Sequence, residues 1–190
     1  MATKERLEKT EFATPTIAEE VQLVTFKLDD QEYALDITSV VQVVRMVAIT
    51  SMPEAPEIVE GVINLRGKVI PVVDIRRRFG LPIKPYDLNT QLLIARKDGH
   101  MMALIVDVVS EVLAMPASNV ELPSEIMPQM ERLSAVGKLG DRLLLILDLS
   151  RILTFEEEER LGAIGAELNS VLSPGDRGHL EEIPAQAALS

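Results

Sequence analysis

The sequence predicts a mainly β chain: two small barrel subdomains related by an internal repeat, with short helices between strands and a C-terminal helix. Three observations carry that reading. Gln22 to Met46 (QLVTFKLDDQEYALDITSVVQVVRM) lies over Gln91 to Met115 (QLLIARKDGHMMALIVDVVSEVLAM) without a gap, and Gly61–Phe79 lies over Ser134–Leu153 with one insertion. Self-similarity on this scale means two related units sharing one body. Short β-branched runs separated by turn residues recur at matching places in each copy. The chain is 47% hydrophobic but only 3% aromatic and has no Trp, so its core is built from Val, Ile and Leu.

In chain order, residues 1–20 are polar, contain Pro15 and lack periodicity, and read as a flexible N-terminal tail. Val21–Leu28 and Gln31–Ile37 flank Asp29-Asp30, and Leu92–Lys97 and Met101–Val106 flank Asp98-Gly99-His100. Asp-Gly is a strong hairpin signal because a type I′ turn needs positive φ at both central residues. The second blocks repeat the device. Val62–Leu65 and Val69–Val73 flank Arg66-Gly67-Lys68, and Ala135–Leu139 and Leu143–Leu147 flank Gly140-Asp141. Gly67 and Gly140 are the structural turn glycines, and four hairpins imply about ten strands. Pro71 lies in a strand-like run and cannot donate to a ladder, which places it at an edge or bulge. Short helices are expected at Thr38–Val43, Ile75–Phe79, Val108–Leu113 and Leu149–Leu153.

Thr154-Phe-Glu-Glu157 reads as a capping box that opens a helix over residues 154–172. Leu161, Ile164, Leu168 and Leu172 follow at helical spacing, and Ser173-Pro174-Gly175 ends the run. The helix packs on its own barrel or, alternatively, presents an apolar stripe to a partner. Residues 173–190 read as a disordered acidic tail, and the body 21–153 holds both copies of the repeat.

Charge narrows the partners. Residues 154–190 hold eight acids and two bases, and residues 1–20 hold five acids and three bases, out of a net −11 for the chain. A body near balance with acidic extensions does not suit nucleic acid, whose phosphates need a basic face, nor an anionic membrane surface. The start MATKERLEKTEF lacks the apolar core of a secretory signal. The apolar stretch Met101–Met115 carries Asp107 and Glu111 and is too short to span a bilayer, so no membrane insertion is expected. With no cysteine, disulfides and Cys-based metal sites are excluded, which suits a reducing cytoplasm.

Catalytic chemistry is hard to find. Gly61-Val-Ile-Asn-Leu-Arg-Gly67-Lys68 imitates a phosphate loop, but it has five residues between its glycines, Val69 stands where Ser or Thr should be, and it joins strand to strand. Asp74 and Asp148 match between the halves, and each begins a short helix, where an N-cap is the economical reading. His100 reads as a solvated turn residue. Arg76-Arg77-Arg78 reads as a solvated helix face or a grip for an acidic partner. No catalytic residues, cofactor or metal site are expected. Arg66, beside Gly67 at a hairpin tip, is either an ordinary turn arginine or a fork for a partner carboxylate.

The run from Gly61 to Ile75 (GVINLRGKVIPVVDI) is similar to the signature of CheW, the bacterial chemotaxis coupling family. Leu23–Leu28, Tyr33–Ile37, Ala103–Val112 and Gly140–Asp148 match that family in order, so the resemblance runs from about Val21 to Leu153. It implies two SH3-like five-stranded barrels and a scaffold without catalysis. Such an adaptor joins the cytoplasmic tip of chemoreceptors to the regulatory domain of a CheA-type histidine kinase. The family likeness also implies a cytoplasmic protein recruited to membrane-associated receptor arrays, and allows self-association there. Carried over by motif, Arg66, Asn64 and Gly61 fall in the partner-binding loop. The resemblance places Val41, Gln42 and Val43 on another partner surface, where family members commonly carry Glu at the position of Gln42. A ligand-binding or catalytic β-barrel is the alternative class.

Overall fold

The computed structural model describes residues 19–122 and 132–171. The expected tail over 1–20, apart from Glu19 and Glu20, and the acidic tail over 173–190 lie outside the described residues. Eleven strands among those described form two sheets. Sheet A runs in the order β8 (Val108–Pro116), β1 (Glu20–Leu28), β2 (Gln31–Asp36), β11 (Arg142–Leu147), β10 (Leu133–Leu139), β9 (Val120–Glu121). Sheet B runs β3 (Val40–Arg45), β6 (Gln91–Lys97), β7 (His100–Val106), β5 (Lys68–Val73), β4 (Val59–Leu65). Beyond β3, Thr50 exchanges two backbone hydrogen bonds with Val62, each 2.9 Å, and draws the chain back to the far edge of sheet B.

Neither sheet belongs to one copy of the repeat. The first copy gives β1 and β2 to sheet A but β3, β4 and β5 to sheet B, and the second copy does the reverse. Parallel contacts seal the exchange at equivalent places: Tyr33 and Ala34 pair with Leu145 and Ile146, while Val72 and Val73 pair with Ala103 and Leu104. The two subdomains are therefore interlaced, not one repeat beside another.

The side-chain period of two explains why the core strands are unbroken apolar runs. Leu92, Ile94, Ala103 and Ile105 face a core made only of sheet B residues. Their neighbours Leu93, Ala95, Leu104 and Val106 face a second core shared with Phe26, Tyr33 and Leu35 of sheet A. Leu23, Ala34, Leu144 and Ile146 fill the inside of sheet A. Each sheet thus closes over its own small interior and presents its other face to its neighbour.

Two expected helices are strands. Asp36 caps a single 3-10 turn at Ile37–Ser39, its Oδ1 accepting from Thr38 N at 2.8 Å, and the β-branched run after it pairs with β6. Val108–Leu113 pairs with β1 across a bulge, where Thr25 Oγ1 bonds both the carbonyl and the N–H of Glu111 at 3.2 Å. In both places an open sheet edge outweighs short-range periodicity, which cannot distinguish such short apolar runs. Ile75–Phe79 is a helix, α1, and Leu149–Arg151 is a 3-10 turn. Pro71 sits in an interior strand instead of at an edge. It stands opposite Val62, whose N–H and carbonyl are both turned to Thr50, so no ladder bond from Pro71 to β4 is lost.

The helix α2 (Phe155–Val171) opens with the capping box: Glu157 Oε2 accepts from Thr154 N at 2.7 Å and Thr154 Oγ1 from Glu157 N at 3.3 Å. It is tied to the body, since Leu161 packs on the shared core, Glu157 pairs with Arg78, and Arg160 donates to the Glu54 carbonyl. The side chains of Ile164 and Leu168 lie outside what is described, as does Leu172.

The arginine run of α1 is a solvated face only at Arg77. Arg77 pairs with Glu60 of β4, Arg78 with Glu157 of α2, and Arg76 is buried with 2% of its surface exposed. Arg76 donates from Nε and Nη2 to the two oxygens of Asp74 at 2.9 and 3.0 Å, and its Nη1 lies 3.6 Å from Asp107. Asp74 also caps α1 by accepting from Arg76 N at 3.0 Å. Asp107 stands where the chain leaves sheet B for sheet A, and its Oδ2 accepts from Asp29 N at 2.6 Å in the β1–β2 turn. The ring of Tyr86 lies 5.6 Å from the guanidinium. Burial works to lower the Arg76 pKa, but the hydrogen bonds and charge of Asp74, helped by Asp107, outweigh it and hold it above its ordinary value.

Two outcomes follow. A fragment holding only residues 1–90 will lack β6, the strand partner of β3, and one of the two partners of each of β1, β2 and β5, and its amide spectrum will be that of an unfolded chain; a folded spectrum would mean that each repeat is self-sufficient. Arg76→Met will cost about 3–5 kcal/mol in urea unfolding, because it strands the buried Asp74 carboxylate. Adding Asp74→Asn to Arg76→Met will recover part of that loss.

Candidate functional site

The hairpin between β4 and β5 turns on two residues, Arg66 at φ 53° and Gly67 at φ 79°, both left-handed, as a type I′ turn requires. Gly67 is in open space, so conformation alone demands glycine there. Arg66 occupies the same region with a Cβ, at a cost of roughly 1–2 kcal/mol. Asn64 supports the turn, its Oδ1 accepting from Gly67 N at 2.8 Å. Asn64, Arg66 and Gly67 are all exposed.

Gly61 has a different role. It is buried at φ 151°, beside a bulge between Val59 and Gly61, and a Cβ there would lie 2.2 Å from the Thr50 carbonyl oxygen. Its lack of a side chain lets the two backbones meet and close sheet B. It positions the loop and offers no surface of its own.

The Val41–Val43 segment lies on β3, at the other edge of sheet B from β4. A bulge between Val40 and Gln42 leaves Val41 41% exposed, while Val43 is part of the shared core and out of reach of a partner. Gln42 is half-buried and not solvent-facing, with its Nε2 buried and without a hydrogen-bond partner among the described residues. Gln42 on β3 and Arg66 on the β4–β5 hairpin belong to the two ends of the sheet B strand order, which the Thr50–Val62 bridge draws toward each other.

Between the subdomains is a cleft of 360 Å³, where Lys97 from sheet B joins Asp36, Ser39, Ser134 and Asp148 around an apolar floor. Its carboxylates are engaged locally: Asp36 caps its own turn, and Asp148 accepts from Ser150 N at 3.0 Å and pairs with Arg151 at 3.2 Å. Asp74, its counterpart, is buried under Arg76. No group of three or more His, Cys, Asp or Glu that could hold a metal occurs among the described residues. No helix among them is long and apolar enough to cross a membrane.

The sequence reading missed the loop between α1 and β6. Lys84 pairs with Asp29 and Tyr86 covers Arg76, so residues 81–90 strap sheet B to the first turn of sheet A. Burial, then the charges of Glu60 and Asp74, push the Tyr86 phenol up to about 12 in spite of Arg76 and Arg77. The loop also displays Ile83 at 52% and Leu88 at 98% exposure. Its paired prolines mark a connection, but nothing local announces these distant contacts.

Exposed hairpin tips on two interlaced barrels offer polar groups at turns and edges, an arrangement suited to a protein-binding scaffold. The comparisons with known proteins give the same class. The model of the CheW-like domain matches residues 22–157. The chain is 30% identical to the chemotaxis protein CheW of Klebsiella aerogenes over 138 residues, 72% of this chain and 83% of that one. It is 31% identical to the CheW of Helicobacter pylori over 136 residues, 71% and 82% of the two chains. Among solved structures, the scaffolding protein TtCheW from Thermoanaerobacter tengcongensis superposes with a TM-score of 0.68 at 34% identity, covering 73% of this chain and 96% of that one. The chain belongs to the CheW-like family of chemotaxis adaptors, which couple receptors to a CheA-type kinase.

The tip joins a residue whose conformation demands glycine to one whose side chain the turn does not need. Arg66→Asn creates the Asn-Gly pair that a type I′ turn favours, so the melting temperature will hold or rise while partner binding falls. Gly67→Val will lower the melting temperature, since a β-branched residue resists positive φ. Thermal melts and binding titrations of the two variants check this, and a destabilised Arg66→Asn would reverse the assignment.

Proposed function

We propose that this chain bridges the cytoplasmic tip of a chemoreceptor and the regulatory domain of a CheA-type kinase, acting by binding alone. Family membership supplies the partners. The observation that carries the site is Arg66, held in a left-handed conformation on an exposed tip where Asn or Gly would serve the turn better. Backbone strain of this kind collects at functional positions. Arg66 is the anchor for a partner carboxylate, with Asn64 and Gly61 setting its loop, while Val41 and Gln42 form a second contact on β3.

Contacts carried by different elements, the Arg66 tip and β3, allow both partners to bind together, which is what recruitment of the kinase to membrane-associated arrays from the cytoplasm requires. In a titration, saturating the protein with the receptor tip will leave its affinity for the kinase regulatory domain within about threefold, a difference smaller than 1 kcal/mol. Mutually exclusive binding would refute the bridging geometry.

A further inference from the structure

The chain carries a net charge of −11, yet one end of sheet B is basic. β5 runs parallel to β7 with Val72 beside Ala103, and continuing that register sets Lys68 beside Gly99. The β4–β5 and β6–β7 turns are therefore neighbouring tips on the same end of the sheet, since adjacent strands lie about 4.8 Å apart. That end gathers Arg66, Lys68, Arg96 and Lys97, all exposed; the turns themselves carry one carboxylate, Asp98, and Lys97 also borders the cleft that holds Asp36 and Asp148. Lys68, Arg96 and Lys97 take part in no ion pair among the described residues.

The equivalent end of sheet A is an internal contrast. Its turns carry Asp29, Asp30 and Asp141, and its nearby charges are largely paired, Asp29 with Lys84 and Glu32 with Arg142. The interlaced repeat thus makes two similar ends and charges them differently. Clustering unpaired cations is unfavourable in the free protein, and the repulsion is relieved when carboxylates arrive.

We propose that the two-tip end of sheet B is a docking surface for a short acidic segment of a partner protein, one presenting two or more carboxylates in an extended run. Nucleic acid or an anionic membrane offers charge over a wide area and would meet the repulsion of the whole body, whereas a short segment sees only the local end. The assignment rests on the adaptor reading and deepens it, because Lys68, Arg96 and Lys97 extend the contact from the Arg66 tip to the neighbouring hairpin. No local sequence signal joins residues 66–68 to residues 96–97. Only the parallel register does.

The test uses the full chain and a synthetic peptide of alternating glutamate and alanine, with a glutamine–alanine peptide as neutral control. Amide shifts in a two-dimensional NMR titration should concentrate at residues 66–68 and 96–100 and fade as salt is raised. Lys68→Glu with Lys97→Glu should weaken peptide binding by about tenfold or more. Lys27→Glu with Arg45→Glu makes the same change in net charge at exposed, unpaired sites away from the tips, and should leave binding within about twofold. Shifts spread evenly over the surface, equal losses in the two double variants, or no binding would overturn the proposal. So would sedimentation showing that a second copy of the chain occupies this end. Titration of the kinase regulatory domain and the receptor tip separates the two readings. If wild-type protein binds neither, the adaptor reading fails while the peptide result still decides the surface. If it binds them and tip reversal changes neither affinity, the docking surface fails and the adaptor reading stands.

Discussion

The burial of Arg76 is the constraint on which the junction of the two barrels depends. A guanidinium taken out of water is tolerable only if its partners are fixed and its donors are used. Asp74 supplies two oxygens, and Asp107 supplies charge from the point where the chain crosses between sheets. Asp107 in turn holds the first turn of sheet A through Asp29, and Lys84 and Tyr86 close over the cluster from the following loop. Removing the arginine would strand the buried Asp74 carboxylate and take the cation from beside Asp107. The repeat makes this cluster unique: the counterpart of Arg76 in the second copy is Ser150, and that of Asp107 is Thr38, both exposed or half-buried.

Strand exchange gives the adaptor its rigidity. Because each sheet contains strands from both copies, one barrel cannot open without pulling strands from the other. Hairpin tips built on such a frame would lose little conformational freedom on docking a partner. The positions of the tips follow from the same topology, since the parallel β5–β7 contact sets two hairpins side by side. Charge, not backbone, then distinguishes the two ends of the molecule. Helix α2 adds a clasp across sheet B, fixed by Arg78, Leu161 and Arg160.

Much of this was legible in residue order. The four hairpins stand where Asp-Asp, Arg-Gly, Asp-Gly and Gly-Asp interrupt apolar runs, because positive φ and short polar side chains are local requirements. Asp74 and Asp148 cap the elements that follow them, and Thr154 and Glu157 form their capping box, since caps reach only two or three residues along the chain. The misses are all contacts over distance. Val108–Leu113 became a strand because the edge of β1 was available to it. Arg76 turned inward and Arg77 and Arg78 are tied down because acids from positions 60, 74, 107 and 157 converge on the run. Within the proposed site, Gly61 and Val43 are buried and act on the site only through the fold, a distinction that no spacing reveals.

The sequence by itself determined two related sets of hairpins, their turn chemistry, the apolar strands and the family. These rest on φ preferences, alternation and capping, whose range is a few residues. Tertiary structure alone decided that the copies exchange strands, that Arg76 is buried, and that the tips at 66–68 and 96–100 share one end. Each of these depends on which strand edge pairs with which. A strand edge can pair with many partners, and the choice falls to burial and hydrogen-bond satisfaction summed over the whole body.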